Sequence, residues 1–392
     1  MYQREEVATV VYQVPELGEE EQATLRAIER LRKQLRYSTA EPRRWVGTMR
    51  RVLAARAIQG SNSIEGYHVS VEDAIAVIEG EEVADPRSID ARAVSGYQRA
   101  MTYVSTLAQD DHFEYSAALL RGLHFMMTEY ALDAWPGRWR PGPIWVRNDV
   151  TGEAVYEAPE AEDVPELVAQ LVTSLEADTA TPVVVRAAMA HLNLVMIHPF
   201  RDGNGRMSRC LQTLVLAREK ILTPELSSIE EYLGRNTSRY YTVLAEVGRG
   251  SWSPSGDARP WVRFCLEAHY VQAESVLRRI RESGQMWTEI ETLREAKGLP
   301  ERVTAALFDA TIGLQVRNSG YRALLRGWGE EISNQVATTD LRAMVNAGLL
   351  RAHGRNRGAY YDADEPLRLV RASTRKARTP IDTSTLFDPE GE

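Results

Sequence analysis

The sequence predicts a mainly α-helical protein with one β-hairpin set into its middle and a separate small module at its C-terminal end. Three observations predict it. Apolar residues recur at helical spacing through most of the chain as far as residue 283. The stretch 135–159 breaks that pattern: it is rich in Pro and Gly, and two β-type runs, Ile144–Val146 and Ala154–Tyr156, flank Asn, Asp and Gly. From about residue 285 the character changes again. Ser333 to Leu350 reads as helix, turn, helix, and two short extended pieces around a Gly/Arg turn follow it. A helical pair plus a small hairpin is the layout of a winged helix.

Residues 1–20 are polar apart from a β-type run at 7–12 and read as an arm. Leu25, Ile28, Leu31 and Leu35 then have helical spacing, and a second helix is expected from Pro42 to Ile58, ending before Gly60. Residues 60–67 mix cap-type side chains with two glycines, which predicts a turn or helix boundary. Ser70 can cap a short helix whose Ala74, Val77 and Ile78 share a face. Two amphipathic helices are expected within 86–131, and after the hairpin further helices at Val164–Leu175, Pro182–Ile197, about Arg206–Lys220, and near 228–248 and 259–283. The domains expected are an N-terminal helical region over 1–100, a core over 101–283, and a winged-helix-like domain with a basic tail over 284–392.

Composition excludes several classes. A hydrophobic fraction of 44% and a charged fraction of 26% over 392 residues are ordinary for a soluble globular protein. Six Phe, sixteen Tyr and eight Trp are too many large rings for a disordered chain. Two cysteines, Cys210 and Cys265, make neither a disulfide framework nor a Cys-rich zinc site, and they fit a reducing, cytoplasmic location. The N-terminus is acidic where a signal peptide would be basic and then apolar, and no run approaches the roughly 18 apolar residues of a membrane span, so no membrane is expected as a partner. A net charge of −8 excludes a surface that grips nucleic acid all round, though not a local basic patch. Such a patch is present in sequence. Residues 341–361 hold Arg342, Arg351, Arg355 and Arg357 with no Asp or Glu, and Arg368, Arg371, Arg375, Lys376 and Arg378 follow.

The most informative stretch is His198-Pro-Phe-Arg-Asp-Gly-Asn-Gly-Arg-Met-Ser-Arg209. Apolar helical faces precede it (Met189, Leu192, Val195, Met196) and follow it (Met207, Cys210, Leu211, Leu214), so two buried helices meet at a tight loop. Pro199 stops the first helix near His198. Gly203, Asn204 and Gly205 let backbone N–H groups face inward at the next helix's N-terminus, which attracts anions. Arg206 and Arg209 lie in that helix's first turn, where the dipole disfavours cations, so they call for an anionic partner, and polyphosphate suits their planar forks. Asp202 adds a hard oxygen ligand, as Mg²⁺ bound together with phosphates requires, and His198 is suited to general-base work.

This twelve-residue segment resembles the signature of Fic-domain proteins, which are protein adenylyltransferases (AMPylators), and the resemblance extends over about residues 40–280. It implies a helical Fic core with a target-binding flap, ATP as substrate, and Mg²⁺ or Mn²⁺ as cofactor. His198 would take the proton of a target Ser, Thr or Tyr hydroxyl, which attacks the ATP α-phosphate. Asp202 would hold the metal; Gly203, Asn204 and Gly205 would cradle the phosphates; Arg206 and Arg209 would bind the β- and γ-phosphates. Tyr240 and Tyr241 are either lining for the adenine pocket or plain core. The hairpin's Ile144, Trp145, Val146, Val155 and Tyr156 would form the flap, with Trp145 and Tyr156 either meeting the target or packing underneath. Ser61-Asn-Ser-Ile-Glu65-Gly66 resembles the family's inhibitory motif, whose glutamate pairs with the second motif arginine, here Arg209. The function expected is AMP transfer to a protein target and to the chain itself, restrained by Glu65. The alternatives are AMP removal or another nucleotidyl transfer of the same fold, and a DNA-binding regulator with a nucleotide-sensing core. The expected partners are ATP and a hydroxyl-bearing protein, with DNA at the C-terminal domain and a homodimer as further candidates.

Overall fold

The computed structural model describes residues 11–40, 43–79, 85, 87–147, 152–354, 359–376, 378–384 and 386–387. Most of the expected run at 7–12, the hairpin's turn at 148–151 and the wing tip at 355–358 lie outside the described residues. The chain divides into two compact units, one of residues 1–36, 53–274 and 382–392, the other of residues 37–52 and 275–381. Unit boundaries fall inside helices α1 (Glu19–Ala40), α2 (Val46–Ile64) and, further on, the longest helix.

Within the first unit, α1 and α2 are followed by α3 (Val71–Glu79), α4 (Ile89–Leu107) and α5 (Ala117–Thr128). Ser88 and Ser116 cap α4 and α5, each hydroxyl accepting from the N–H three residues on. An antiparallel hairpin, β1 (Trp145–Arg147) and β2 (Ala154–Glu157), comes next, with Trp145 opposite Glu157 and Val146 opposite Tyr156. Then come α6 (Val164–Ala177), α7 (Val183–Ile197), α8 (Asn204–Ala217), two short helices α9 (Pro224–Ser227) and α10 (Glu230–Arg235), α11 (Thr237–Gly248) and the long α12 (Arg259–Ala296).

Helix α7 is apolar on nearly every side, which is the pattern of a helix enclosed by protein. It packs most extensively against α8, whose buried face runs Met207, Cys210, Leu211, Leu214 and Val215. Helix α6 packs on α7, α4 and α5 pack on α8, and Trp261 of α12 donates its indole N–H to the Ala188 carbonyl at 2.7 Å. The chain just before α1 is extended. Val11 and Tyr12 are buried there, and the Asn193 side chain exchanges two hydrogen bonds with the Tyr12 backbone, at 2.8 and 3.0 Å, as a neighbouring strand would. Among the described residues no helix is long and apolar enough to cross a membrane.

The second unit has α13 (Thr304–Ile312), a single bridge between Val316 and Tyr361, α14 (Asn318–Gly327), α15 (Asn334–Asn346), an antiparallel hairpin of β3 (Leu350–His353) and β4 (Tyr360–Ala363), and α16 (Glu365–Arg375). Its core gathers Leu307, Phe308, Tyr321, Leu325, Ala337, Leu341, Met344 and Leu367.

Three boundaries differ from the sequence reading. The Ser333–Leu350 segment is one helix leading into a strand, not two helices. Ser333 caps it, Ala337, Leu341 and Met344 keep one buried face, and the helical pair is instead α14 and α15. Helix α8 begins at Asn204, two residues early, because Gly203 in the left-handed region (φ 78°) supplies its N-cap. Helix α2 does not stop before Gly60 but runs to Ile64. Gly60 is there to admit a second backbone: a Cβ on it would lie 2.5 Å from the Glu230 carbonyl oxygen, and a Cβ on Gly234 of α10 would lie 2.7 Å from the Gly60 Cα.

Substituting Gly60→Ala therefore forces α2 and α10 apart at a cost of about 1–3 kcal/mol. Gly47→Ala, in the same helix with nothing within 4 Å of the added methyl, is expected to be neutral or to stabilise by about 0.5–1 kcal/mol. Thermal melts of both variants check this: Gly60→Ala lowers the melting temperature by several degrees and Gly47→Ala does not. Equal melting would refute the close-packing account.

Candidate active site

The centre of the site is the turn between α7 and α8. His198 ends α7 in the left-handed conformation (φ 51°, ψ 55°), a costly backbone for a side chain that also precedes a proline. Arg140 holds it there. This buried guanidinium donates to the His198 carbonyl at 2.9 Å, to the Gly142 carbonyl at 2.8 Å and to the Pro159 carbonyl, while its own N–H reaches the Pro199 carbonyl at 2.9 Å. Gly142 and Pro159 stand just before β1 and just after β2, so one side chain ties both feet of the hairpin to the histidine. On the His198 ring, Nδ1 lies 3.1 Å from the Val195 carbonyl oxygen. A carbonyl only accepts, so Nδ1 carries the hydrogen and Nε2 keeps its lone pair. Burial lowers the His198 pKa, against the opposing pull of the Val195 carbonyl, so the ring is neutral at physiological pH.

The loop 200–204 is closed by Asn204. Its Oδ1 accepts from the Phe200 N–H at 2.9 Å and its Nδ2 donates to the Phe200 carbonyl at 2.8 Å. Its amide, expected among the phosphate ligands, is thus engaged with the loop's own backbone. Asp202 is half exposed at its side chain (51%); one oxygen accepts from the Gly203 N–H at 2.7 Å and the other lies 3.8 Å from Arg206 Nη2. Beneath the loop, His124 of α5 stacks on Phe200 with ring centroids 3.7 Å apart. The Gly137 N–H donates to His124 Nδ1 at 2.9 Å, which leaves Nε2 to donate to the Asp202 carbonyl at 2.9 Å. Burial lowers the His124 pKa to about 4, so this neutral tautomer persists.

The first intrahelical bond of α8 runs from the Met207 N–H to the Gly203 carbonyl, so the N–H groups of 204–206 have no helical acceptor. Arg206 in the first turn of α8 and Arg209 in its second are both fully buried. Arg206 donates through Nη1 to the Tyr130 hydroxyl at 3.1 Å and lies over the Tyr67 ring at 4.9 Å, while its Nε and Nη2 make no hydrogen bond. Arg209 donates through Nε to the Ser61 hydroxyl (2.8 Å) and through Nη2 to the Ser61 carbonyl (2.9 Å) and Glu65 Oε1 (2.7 Å), leaving Nη1 without a partner. The Glu65 carboxylate sits against the start of α8 so closely that a Cβ on Gly205 would come within 2.3 Å of Oε1. Gly66, with φ 81°, turns the chain away immediately afterwards.

The network continues inward. Tyr97 of α4 donates to Glu230 Oε1 at 2.8 Å, and the Thr213 hydroxyl reaches the same oxygen at 3.2 Å. Burial raises the Glu230 pKa to about 7, against the lowering effects of Tyr97, Arg209 and Thr213. Tyr240 is buried with its hydroxyl 3.0 Å from His191 Nε2, whereas Tyr241 is 45% exposed and donates to the Ile64 carbonyl at 3.2 Å. On the hairpin, Tyr156 packs underneath and donates to the Met196 carbonyl at 2.8 Å. Trp145 (43%) and Val155 (41%) are exposed, and Ile144 and Val146 are half-buried against the core. Sequence reasoning missed Arg140, His124, Tyr67, Tyr130 and the Tyr97–Glu230 pair. His124 alone left a signal, a histidine on the apolar face made by Leu120, Leu123 and Met127.

Residues 93–216 match the Fic/DOC family model. Over 206 residues the chain is 30% identical to "Protein adenylyltransferase fic-1" of Caenorhabditis briggsae, covering 52% of this chain and 37% of that protein. Over 219 residues it is 29% identical to "Protein adenylyltransferase Fic" of Nematostella vectensis, covering 53% and 45%. The match thus spans less than half the length of these curated relatives. Among solved structures, a Fic family protein from Desulfovibrio desulfuricans aligns with a TM-score of 0.55 at 24% identity, over 90% of this chain and 98% of that one. Fic-1 (aa134–508) from C. elegans aligns with a TM-score of 0.52 at 23% identity, over 67% and 73%. These structural likenesses show a shared fold.

Two outcomes are expected of the supporting residues. Arg140→Met strands three carbonyls and should cost about 3 kcal/mol, with faster amide exchange in both hairpin strands; unchanged exchange there would refute the tether. For Glu230, the folded pKa of about 7 lies above the ordinary 4.5. Between these values the unfolded chain releases the proton first, so this group lowers stability as pH rises from about 4.5 to 7, by up to about 3 kcal/mol. Glu230→Gln removes that slope, and melting temperatures at pH 5 and pH 7.5 read it directly.

Proposed function

We propose, from the match of residues 93–216 to the Fic/DOC family model, that this chain is a protein adenylyltransferase moving AMP from ATP to a hydroxyl of a target protein and of itself. The observation that carries this is the start of α8. Two buried guanidinium groups with three nitrogens making no hydrogen bond, beside N–H groups that have no helical acceptor, call for a multiply charged anion. A triphosphate meets that demand.

In this reading His198 Nε2 takes the proton of a target hydroxyl. The oxygen attacks the α-phosphorus, a new P–O bond forms, the bond to the α–β bridging oxygen breaks, and pyrophosphate leaves. The N–H groups of 204–206 and the forks of Arg206 and Arg209 hold the β- and γ-phosphates, and Asn204 shapes the loop that presents them. Such transfer depends on placement and charge neutralisation more than on covalent help. Asp202 would hold Mg²⁺ or Mn²⁺. Its exposed oxygen fits a cation that takes its other ligands from phosphates and water, and no three-residue metal cluster occurs among the described residues. Bound there, the metal would neutralise phosphate charge. The outer edge of β1 has no backbone partner among the described residues, which suits an extended target segment added as a strand.

Glu65 restrains the reaction. Its carboxylate takes the Arg209 hydrogen bond and the space over Gly205 that a γ-phosphate would need. Ser61 supports the same blocked pose by holding the rest of the Arg209 fork.

Labelling with α-³²P-ATP tests the reading. Glu65→Gly raises self-labelling about tenfold or more, the equivalent of one charge-assisted hydrogen bond, and His198→Ala in that background lowers it about 10²–10⁴-fold. Burial lowers the His198 pKa from its ordinary value, so labelling by Glu65→Gly is expected to fall off at a lower pH than it would with a free imidazole as the base. Equal labelling by wild type and Glu65→Gly would remove the restraint, and full labelling by His198→Ala would remove the mechanism.

A further inference from the structure

The net charge of −8 conceals a division. The first unit has 25 Lys and Arg against 42 Asp and Glu, a net −17, and the second has 22 against 13, a net +9. A basic module in an acidic chain suits a polyanion.

Within the basic unit, α15 presents an unusual face. Gln335, Thr339, Arg342 and Asn346 follow one another at i, i+4, i+7 and i+11, and all four are exposed. Each can make directed hydrogen bonds, and none is acidic. The one acid of the helix, Asp340, points the other way. It is buried, held by Arg302 through two bonds at 2.7 and 2.9 Å, and bonded by the Tyr321 hydroxyl at 3.1 Å. Among the described residues Arg342 has no carboxylate partner. The N-terminus of α14 is fastened to the same helix, since the Asn318 amide donates to the Thr338 hydroxyl at 3.0 Å and to the Asn334 carbonyl. Arg317, exposed at the N-cap of α14, stands at that end.

We propose that this unit binds double-stranded DNA, with the Gln335–Thr339–Arg342–Asn346 stripe of α15 in the major groove and the N-terminus of α14, with Arg317, on a flanking phosphate. The choice of DNA over an acidic protein rests on the stripe's chemistry. One arginine among an amide, a hydroxyl and a second amide is the set that reads base edges, Arg to guanine and Asn or Gln to adenine; carboxylates would call for several clustered cations. A 13-residue helix is about 20 Å long and about 10–12 Å across, which the major groove admits. The inference is independent of the AMP-transfer reading.

The test uses the full chain. Duplexes of about 30 base pairs are enriched from a randomised pool, and binding of the enriched duplex is read by fluorescence anisotropy. Saturable binding near 50 mM salt that weakens about tenfold or more near 200 mM is expected. The double variant Gln335→Ala/Arg342→Ala should weaken it about tenfold or more, with the melting temperature unchanged because both side chains are exposed. No enriched sequence, no binding near 50 mM, full binding by the double variant, or competition by poly-glutamate as effective as by duplex would each overturn the proposal, the last in favour of a protein partner.

Discussion

Two positive charges buried at the positive end of one helix are the constraint on which this structure depends. The dipole of α8 repels Arg206 and Arg209, and burial adds a desolvation cost of several kcal/mol for each ion unless it is compensated. The surroundings read as that compensation. Tyr130 and the Tyr67 ring face Arg206, and Ser61 and Glu65 take most of the Arg209 fork. Burial disfavours the Arg209 charge, yet the Glu65 carboxylate, Tyr240 and Tyr97 together more than offset it and hold the guanidinium pKa above its ordinary value. What is left unmet, two nitrogens on one arginine and one on the other, is a standing demand for anionic oxygen.

The turn at His198 is strained in a way the rest of the fold sustains. A histidine in the left-handed region before a proline is not a conformation the local sequence favours. Arg140 from one side and His124 from the other fix the turn by its carbonyls, leaving the His198 ring to hang from the Val195 oxygen. Both supports are themselves rooted near the hairpin, Arg140 at its feet and His124 at Gly137, so the geometry of the turn and of the hairpin is shared.

Much of this was legible in the sequence, and for a physical reason. His198 through Arg209 are consecutive, so the helix stop, the glycine turn and the two misplaced arginines could be read locally. The helical core and the hairpin were legible as a change of hydrophobic period. Contacts between distant segments were not. Arg140 is one arginine in a Pro- and Gly-rich stretch, and nothing in its spacing announces that it reaches residues 142, 159 and 198. Gly60 was read as a breaker because sequence shows the missing side chain but not the α10 backbone that fills its place. At Ser333–Leu350 a helix, turn and helix were read where the structure has the one helix α15 leading into β3, and α14 ahead of it was not recognised as the helix that pairs with α15.

The contact between Gly60 and Gly234 has a consequence for movement. With two backbones in near contact, α2 is indexed against α10 much as a ratchet tooth is seated in its notch, and sliding or rolling the whole helix would drive backbone into backbone. Glu65 lies five residues beyond that seat, about 7.5 Å along the axis. A movement of α2 that parts Glu65 from Arg209 is therefore confined to the final turn, from Ser61 to Gly66, which can fray at the cost of a few hydrogen bonds while the helix behind it stays still.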